Sequence, residues 1–259
     1  LMSAEAYWVW DRTDTDRSNC HIWLGAKNEN GREWINEVLS QANETGFYGQ
    51  PRLDPELIDL LPAGDVWITT ACVAGWKYRF SNEDRLLGFF QRLYEKHGDN
   101  FMFEVQYHNT PSQKELNQYI LDLRSRIPAP IVMGCDSHYI RADGGQDRTD
   151  FLTSKEIYYE DEEGWYLDYP DGAEAVRRFQ EQGILSDEQI LDAINQTNVF
   201  LNVEEYDCDI FDDSVKLFSL HPDWTQQQKD AEYERLVWKG WEQDKLIVEQ
   251  SRIPEYLHE

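Results

Sequence analysis

Apolar residues along this chain follow two rhythms that exchange at short intervals, one of period two and one near three and a half. Glu5 to Trp10 reads as a short strand, and Asp11 to Asn19 as a polar turn. His21 to Ala26 (HIWLGA) is a compact apolar strand. Asn30 to Gln41 carries Trp34, Val38 and Leu39 at helical spacing. Gly46 to Pro51 breaks that helix. Asp54-Pro55 then opens a short one, with a good capping residue and proline at the first helical position. Asp65 to Cys72 (DVWITTAC) is rich in β-branched residues and predicts a strand.

The alternation continues. Ser81 to His97 predicts a helix with Leu86, Phe89, Phe90 and Leu93 on one face. Phe101 to Tyr107 predicts a strand. Pro111 to Ile127 predicts a helix with Leu116, Ile120 and Leu123 aligned. Pro130 to Cys135 (PIVMGC) is a continuous apolar run, the pattern of a strand buried on both faces. Strand–helix alternation of this kind points to parallel βα units, in a barrel or a doubly wound sheet. After about Gly144 the character changes. Short helices are expected over Asp171 to Gly183 and Ser186 to Thr197, an acidic connector over Glu204 to Asp213, and a helix over Thr225 to Gln243. Ser251 to Glu259 carries no closing signal. No repeat, low-complexity tract, GxGxxG or P-loop is present.

Composition narrows the picture. The chain has 259 residues, 41% hydrophobic and 14% aromatic, enough for a sizeable core and unlike a disordered segment. No apolar run approaches the roughly 18 to 20 residues of a membrane span. Leu1 to Trp10 lacks the basic and apolar regions of a secretory signal, so a cytoplasmic protein is expected. Fifty acidic against 24 basic residues give a net charge of −26. Such a surface repels nucleic acid. Either the function does not involve DNA or the DNA grip lies in another region or subunit. Bound divalent cations would offset part of the repulsion locally.

The residues with chemistry sit at or near predicted strand ends, where sites form in barrels and open α/β sheets. Asp136 and His138 follow the strand Pro130 to Cys135, and at i and i+2 of an extended segment they would project to one side. Cys72 ends the strand that begins at Asp65. His21 and Glu5 occupy the first strands. Together they mix carboxylate, imidazole and thiolate, a donor set suited to Zn, Mn or Fe rather than Ca or Mg. Each has a plainer alternative. Asp-x-His by itself is a short pattern. Taken singly, Cys72 reads more often as a small buried hydrophobe, His21 as a core or edge histidine, and Glu5 as a solvated edge carboxylate. Cys135 reads as core. His108 either lines the mouth or simply ends its strand, and His97, His221 and His258 have no supporting context. Cys20 and Cys208 read as buried hydrophobes or ligands rather than disulfide partners.

Several segments in register resemble the PHP (polymerase and histidinol phosphatase) region of C-family replicative DNA polymerases, the alpha subunit of DNA polymerase III. These are Glu5-Ala6-Tyr7, His21 to Gly31 (HIWLGAKNENG), Gly46 to Asp54 (GFYGQPRLD), Thr69 to Gly75 (TTACVAG), Glu104 to Asn109 (EVQYHN) and Gly134 to Tyr139 (GCDSHY). The order holds from about Glu5 to Ile140. Asp16 to Gly46 looks closest to phage-type members.

The resemblance implies an α/β fold, a partial distorted (β/α) barrel of PHP type over residues 1–200. A mainly helical segment over 201–259 would lead towards a polymerase palm. It implies metal-ligand roles for Glu5, His21, Cys72, Asp136 and His138, with up to three divalent ions. It implies metal-dependent 3′–5′ exonuclease or phosphoesterase chemistry in the intact protein. DNA would be held through other regions and replisome proteins would be partners, with no membrane association. The family's opening His-x-His strand and its palm aspartates have no counterpart here, so the chain is expected to be truncated at both ends and to lack nucleotidyl transfer by itself. Two further readings are a stand-alone phosphoesterase for a small substrate and a non-catalytic structural domain.

Overall fold

The structure is a computed structural model and describes residues 1–15, 19–72, 83–158, 164–204 and 223–248, with side chains through 241. The chain divides into two compact units, Leu1–Cys208 and Asp209–Glu259. The first holds a six-stranded mixed sheet: β1 (Ser3–Trp8), β2 (Cys20–Ala26), β3 (Arg52–Leu53), β4 (Val66–Thr69), β5 (Phe101–Gln106) and β6 (Ile131–Gly134), in the order β3-β1-β2-β4-β5-β6. Its helices are α1 (Glu29–Thr45), α2 (Pro55–Ile58), α3 (Glu83–His97), α4 (Pro111–Arg126), α5 (Gly145–Ser154), α6 (Gly172–Gln182) and α7 (Asp187–Gln196). The second unit holds α8 (Gln226–Val248). Most of the acidic connector expected over Glu204 to Asp213 lies outside the described residues, as do Ser81 and Ser251 to Glu259.

Strand–helix alternation leads one to expect parallel pairing, and the sheet departs from it on one side. β4, β5 and β6 are parallel, each pair joined through a helix. β1 and β2 are antiparallel, as are β2 and β4. The β1–β2 link holds no helix among its described residues, and a chain without a crossover returns antiparallel. β6 departs too. Its sequence reads as a strand covered on both faces, yet only Val132 is buried, because β6 is the last strand of the order.

The two faces of the sheet differ in chemistry. Ala6, Trp8, Cys20, Ile22, Leu24, Ile68, Phe101, Phe103 and Val105 share the main core with α1, α3 and α4 residues. The intervening positions face the other way. There Trp67, Met102 and Val132 form a small second cluster, with Trp23, Val199, Phe200 and Val203 packed on it. That cluster fills part of the second face and leaves the rest to polar side chains.

Local caps explain several loops. Asn28 accepts from Gly31 N at 2.9 Å to start α1. Asn28 and Asn30 both donate to the Asp65 carboxylate, at 2.7 and 2.6 Å, which holds that carboxyl below its usual range. A Cβ on Gly31 would overlap the Asp65 carbonyl, so this position needs glycine for close approach rather than for turning. Arg52 is 1% exposed and donates to the carbonyls of Gly46, Arg12 and Asp14. Asp54 caps α2 through Leu57 N and pairs with Arg12 at 2.8 Å. The Gly46–Asp54 loop therefore closes on itself through backbone and ion-pair contacts.

Two predictions follow from this packing. Gly31→Ala should lower the unfolding free energy by about 1–3 kcal/mol, because the new methyl meets backbone; urea denaturation checks it. His97 is buried with neither ring nitrogen hydrogen-bonded among the described residues, and burial lowers its pKa to about 4. Its folded value lies below the unfolded one, so the neutral ring stabilises above about pH 6.5, and that stability is lost as pH falls towards 4. His97→Phe should therefore reduce the loss of stability between pH 7.5 and 4.5 by about 2–3 kcal/mol, measured by denaturation at both pH values.

Candidate metal centre

The site is built on the second face of the sheet, beginning with the β1–β2 register. Glu5 lies opposite Trp23, and Tyr7 opposite His21. Opposed residues project to the same side, so Glu5 and His21 are diagonal neighbours. His21 Nδ1 reaches Glu5 Oε1 at 2.5 Å, and the Tyr7 ring meets the imidazole edge-on. Cys72 comes from beyond β4, just after Ala71, whose φ of +55° turns the chain off the strand. Its Sγ lies 3.2 Å from His21 Nδ1 and 3.7 Å from Glu5 Oε1.

The donor atoms of Glu5, His21 and Cys72 all lie within 4.8 Å of one another, and among the described residues no other such group of three is present. One oxygen, one nitrogen and one sulfur at this separation match the donors of a Zn- or Fe-type site. The His21 hydrogen bond holds the Glu5 carboxyl below its usual range, against the opposing effect of burial.

Asp136 and His138 form a second pair. His138 Nε2 lies 3.5 Å from Asp136 Oδ1. The local geometry differs from the extended arrangement expected. Asp136 has φ +48°, so the chain leaves β6 through a left-handed residue and the two side chains meet across a turn. Burial raises the Asp136 carboxyl above its usual range, with His138 opposing that shift.

Glu5, Cys72 and Asp136 line one cavity of about 250 Å³. His138 lines a neighbouring depression with Tyr139, Arg141 and Arg148. The structure thus gathers Glu5, His21 and Cys72 closely and sets Asp136 at the same cavity. His138 stands to one side.

Other candidates separate from the site. His108 ends its strand: it is fully buried, its Nδ1 accepts from Tyr166 N at 3.1 Å, and burial lowers its pKa to about 4. Cys135 packs on the main core and also borders the cavity. Cys20 is buried in the core.

Glu104 and Gln106 were not among the expected site residues, and both line the cavity. Glu104 accepts from Thr69 Oγ1 at 2.7 Å and Gln106 Nε2 at 2.9 Å, and burial raises its carboxyl. A signal for them exists in the sequence: they fall in phase with Met102, out of phase with Phe101, Phe103 and Val105. Trp23 and Phe200 supply an apolar wall, with ring centroids 5.2 Å apart.

Comparison with known proteins finds relatives for part of the chain. No family model matches the chain. It is 28% identical over 129 residues to DNA polymerase III subunit alpha of Aquifex aeolicus, covering 49% of this chain and 11% of that protein. It is 32% identical over 124 residues to the Thermus aquaticus subunit, covering 47% of this chain and 10% of that one. With the Campylobacter jejuni subunit the likeness is 23% over 275 residues, covering 93% of this chain and 22% of the relative.

This chain is a relative of DNA polymerase III alpha subunits.

It spans about a tenth of the length of the first two of these relatives. The likeness to the alpha subunits of Aquifex and Thermus covers about half of the chain. No helix among the described residues is long and apolar enough to cross a membrane.

The cavity yields one prediction. A Cβ on Gly134 would overlap the Glu104 carboxylate. Gly134→Ala should destabilise by about 1–3 kcal/mol. Removing the obstacle with Glu104→Ala should recover much of that loss, giving a coupling of about 1–2 kcal/mol in a double-mutant denaturation cycle.

Proposed function

We propose that this chain is a PHP-type metal-binding part of a replicative DNA polymerase, with metal-dependent 3′–5′ exonuclease or phosphoesterase chemistry in the intact protein. The observation that carries the reading is the convergence of Glu5, His21 and Cys72 donor atoms within 4.8 Å. The alpha-subunit likeness supports the polymerase context. On this reading the protein works in the cytoplasm.

Glu5, His21 and Cys72 would hold a divalent Zn, Mn or Fe ion, and Asp136 with His138 would complete the centre. The resemblance to PHP-type sites implies that the intact protein would hold up to three ions. Such an ion makes water acidic enough to attack near neutral pH and polarises a phosphoryl oxygen. The protein's own contributions are separate. The Glu5 carboxyl, held ionised by His21, sets negative charge at the cavity. Burial raises the Asp136 carboxyl in the metal-free site, and a bound cation would favour the ionised form that a ligand needs. Trp23 and Phe200 shield one wall from water.

A net charge of −26 leaves DNA to be gripped by other regions or replisome partners. The same acidity and a cavity of only about 250 Å³ favour, as a second reading, a phosphoesterase acting on a small substrate.

Elemental analysis of protein purified without chelators tests the proposal. Stoichiometric Zn, Mn or Fe is expected in the parent. Cys72→Ala and the Asp136→Ala, His138→Ala double variant should each lose most of it. With the rest of the polymerase present to grip DNA, the metal-loaded parent sequence should shorten a mispaired 3′ end about 100-fold faster than the double variant. Hydrolysis of a small phosphomonoester without action on DNA would support the second reading, and absence of metal from the parent would overturn both.

A further inference from the structure

Arg178, on α6, is 5% exposed in a protein whose acidic residues outnumber its basic ones two to one. A buried guanidinium is costly unless its surroundings are built for it. Here they are. Nη2 donates to Asp168 at 2.7 Å and Nε to Glu174 at 2.8 Å. The guanidinium lies 4.7 Å from the Tyr166 ring centre and 5.2 Å from that of Tyr107. The Tyr107 hydroxyl in turn lies 3.4 Å from the Cys135 carbonyl.

Tyr166 and Asp168 belong to the segment 164–169, which is neither strand nor helix. That segment runs between the end of β5 and the chain that leaves β6. On one side Asn109 N donates to the Gly164 carbonyl, and Tyr166 N to His108 Nδ1. On the other side His138 N and Tyr139 N donate to the Leu167 carbonyl, at 2.8 and 3.2 Å. Ser137 Oγ donates to the Asp168 carbonyl at 3.1 Å, and Tyr169 N to the Ile140 carbonyl at 3.3 Å. The turn carrying Asp136 and His138 therefore has its backbone held by a segment that Arg178 clamps through Asp168 and two aromatic rings.

We infer that Arg178 is a positioning residue for the Asp136–His138 pair, acting through Asp168 and the 164–169 segment. This rests on the reading that the pair belongs to the metal centre. Arg178 touches no candidate ligand. It sets where the His138 backbone lies and so where the imidazole stands relative to Glu5, His21 and Cys72, which β1, β2 and the end of β4 hold independently. Supporting contacts of this kind commonly change metal affinity by about 10- to 100-fold when removed.

The test uses the full chain, with Arg178→Ala and the milder Asp168→Asn. Amide hydrogen exchange of His138 and Tyr139 is compared with that of Ile22 and Leu24 in β2. Co²⁺ binding is followed by calorimetry and by the thiolate-to-cobalt absorption that reports Cys72. Arg178→Ala should speed exchange at His138 and Tyr139 at least tenfold more than in β2. It should weaken Co²⁺ binding about tenfold, while the thiolate band at saturation persists. Asp168→Asn should shift both readouts in the same direction by a smaller factor, and it carries the test if Arg178→Ala does not fold. Equal acceleration at both places, or none at His138 and Tyr139, would overturn the positioning role. Unchanged Co²⁺ binding in Asp136→Ala, His138→Ala would instead sink the reading that the pair belongs to the metal centre, while the exchange comparison would still decide whether Arg178 holds the turn.

Discussion

The antiparallel register of β1 and β2 is the constraint on which the site depends. Glu5 opposite Trp23 and Tyr7 opposite His21 put a carboxylate, an imidazole and two aromatic rings on one face. Ala6, Trp8, Cys20, Ile22 and Leu24 then fall on the other face, in the main core. Slipping the pairing by one residue would exchange the two sets and drive Glu5 and His21 into hydrocarbon. Burial of Trp8, Ile22 and Leu24, at no more than 3% exposure, therefore fixes the ligands as firmly as it fixes the core. The same register supplies the Glu5–His21 hydrogen bond that keeps the carboxyl ionised.

The second face carries a mixture that water would ordinarily be left to satisfy. Trp67, Met102 and Val132 are closed over by Phe200 and its neighbours. Just beyond them Glu104 is paired with Thr69 and Gln106 beside a cavity that also meets Glu5 and Asp136. Burial, with repulsion from Glu5 added to it, makes ionisation of Asp136 and Glu104 costly and shifts both carboxyls upward, while His21 holds Glu5 itself down. A divalent cation bound there would reverse that cost. This physical reason gives the donor set its meaning in so acidic a protein.

Two non-glycine residues in left-handed backbone flank the site, Ala71 before Cys72 and Asp136 itself. Both stand where the chain leaves a strand. Such conformations are uncommon for non-glycine residues and persist where surrounding contacts hold them. At Asp136 those contacts come from a distance, through Leu167 and Asp168 and from there to Arg178 on α6. The site is thus supported from two directions, by the sheet for Glu5 and His21 and by the helical layer for His138.

Periodicity made most of the element order legible, because buried apolar residues recur at spacing two in strands and near three and a half in helices; β3 (Arg52–Leu53) and α5 (Gly145–Ser154) were not read from it. The Asp54-Pro55 cap was legible for the same local reason, since Asp54 bonds the backbone three positions on; Thr110 and Ser186 cap α4 and α7 in the same way. The five candidate ligands were legible as residue types at strand ends. Pairing direction was not, because the helix-free return from β1 to β2 carries no periodic signal and direction is settled by which face must be buried. Nor were Glu104, Gln106 and Arg178 legible as part of the site or its support. Glu104 is held by Thr69, 35 positions away, Gln106 meets Glu5 and Asp136 at the cavity wall, and Arg178 reaches the turn after β6 through Asp168, whose carbonyl bonds Ser137 31 positions away. Local rules of period and capping act within a few residues and leave a sequence trace. Contacts closed by packing do not, and only the tertiary structure decided them.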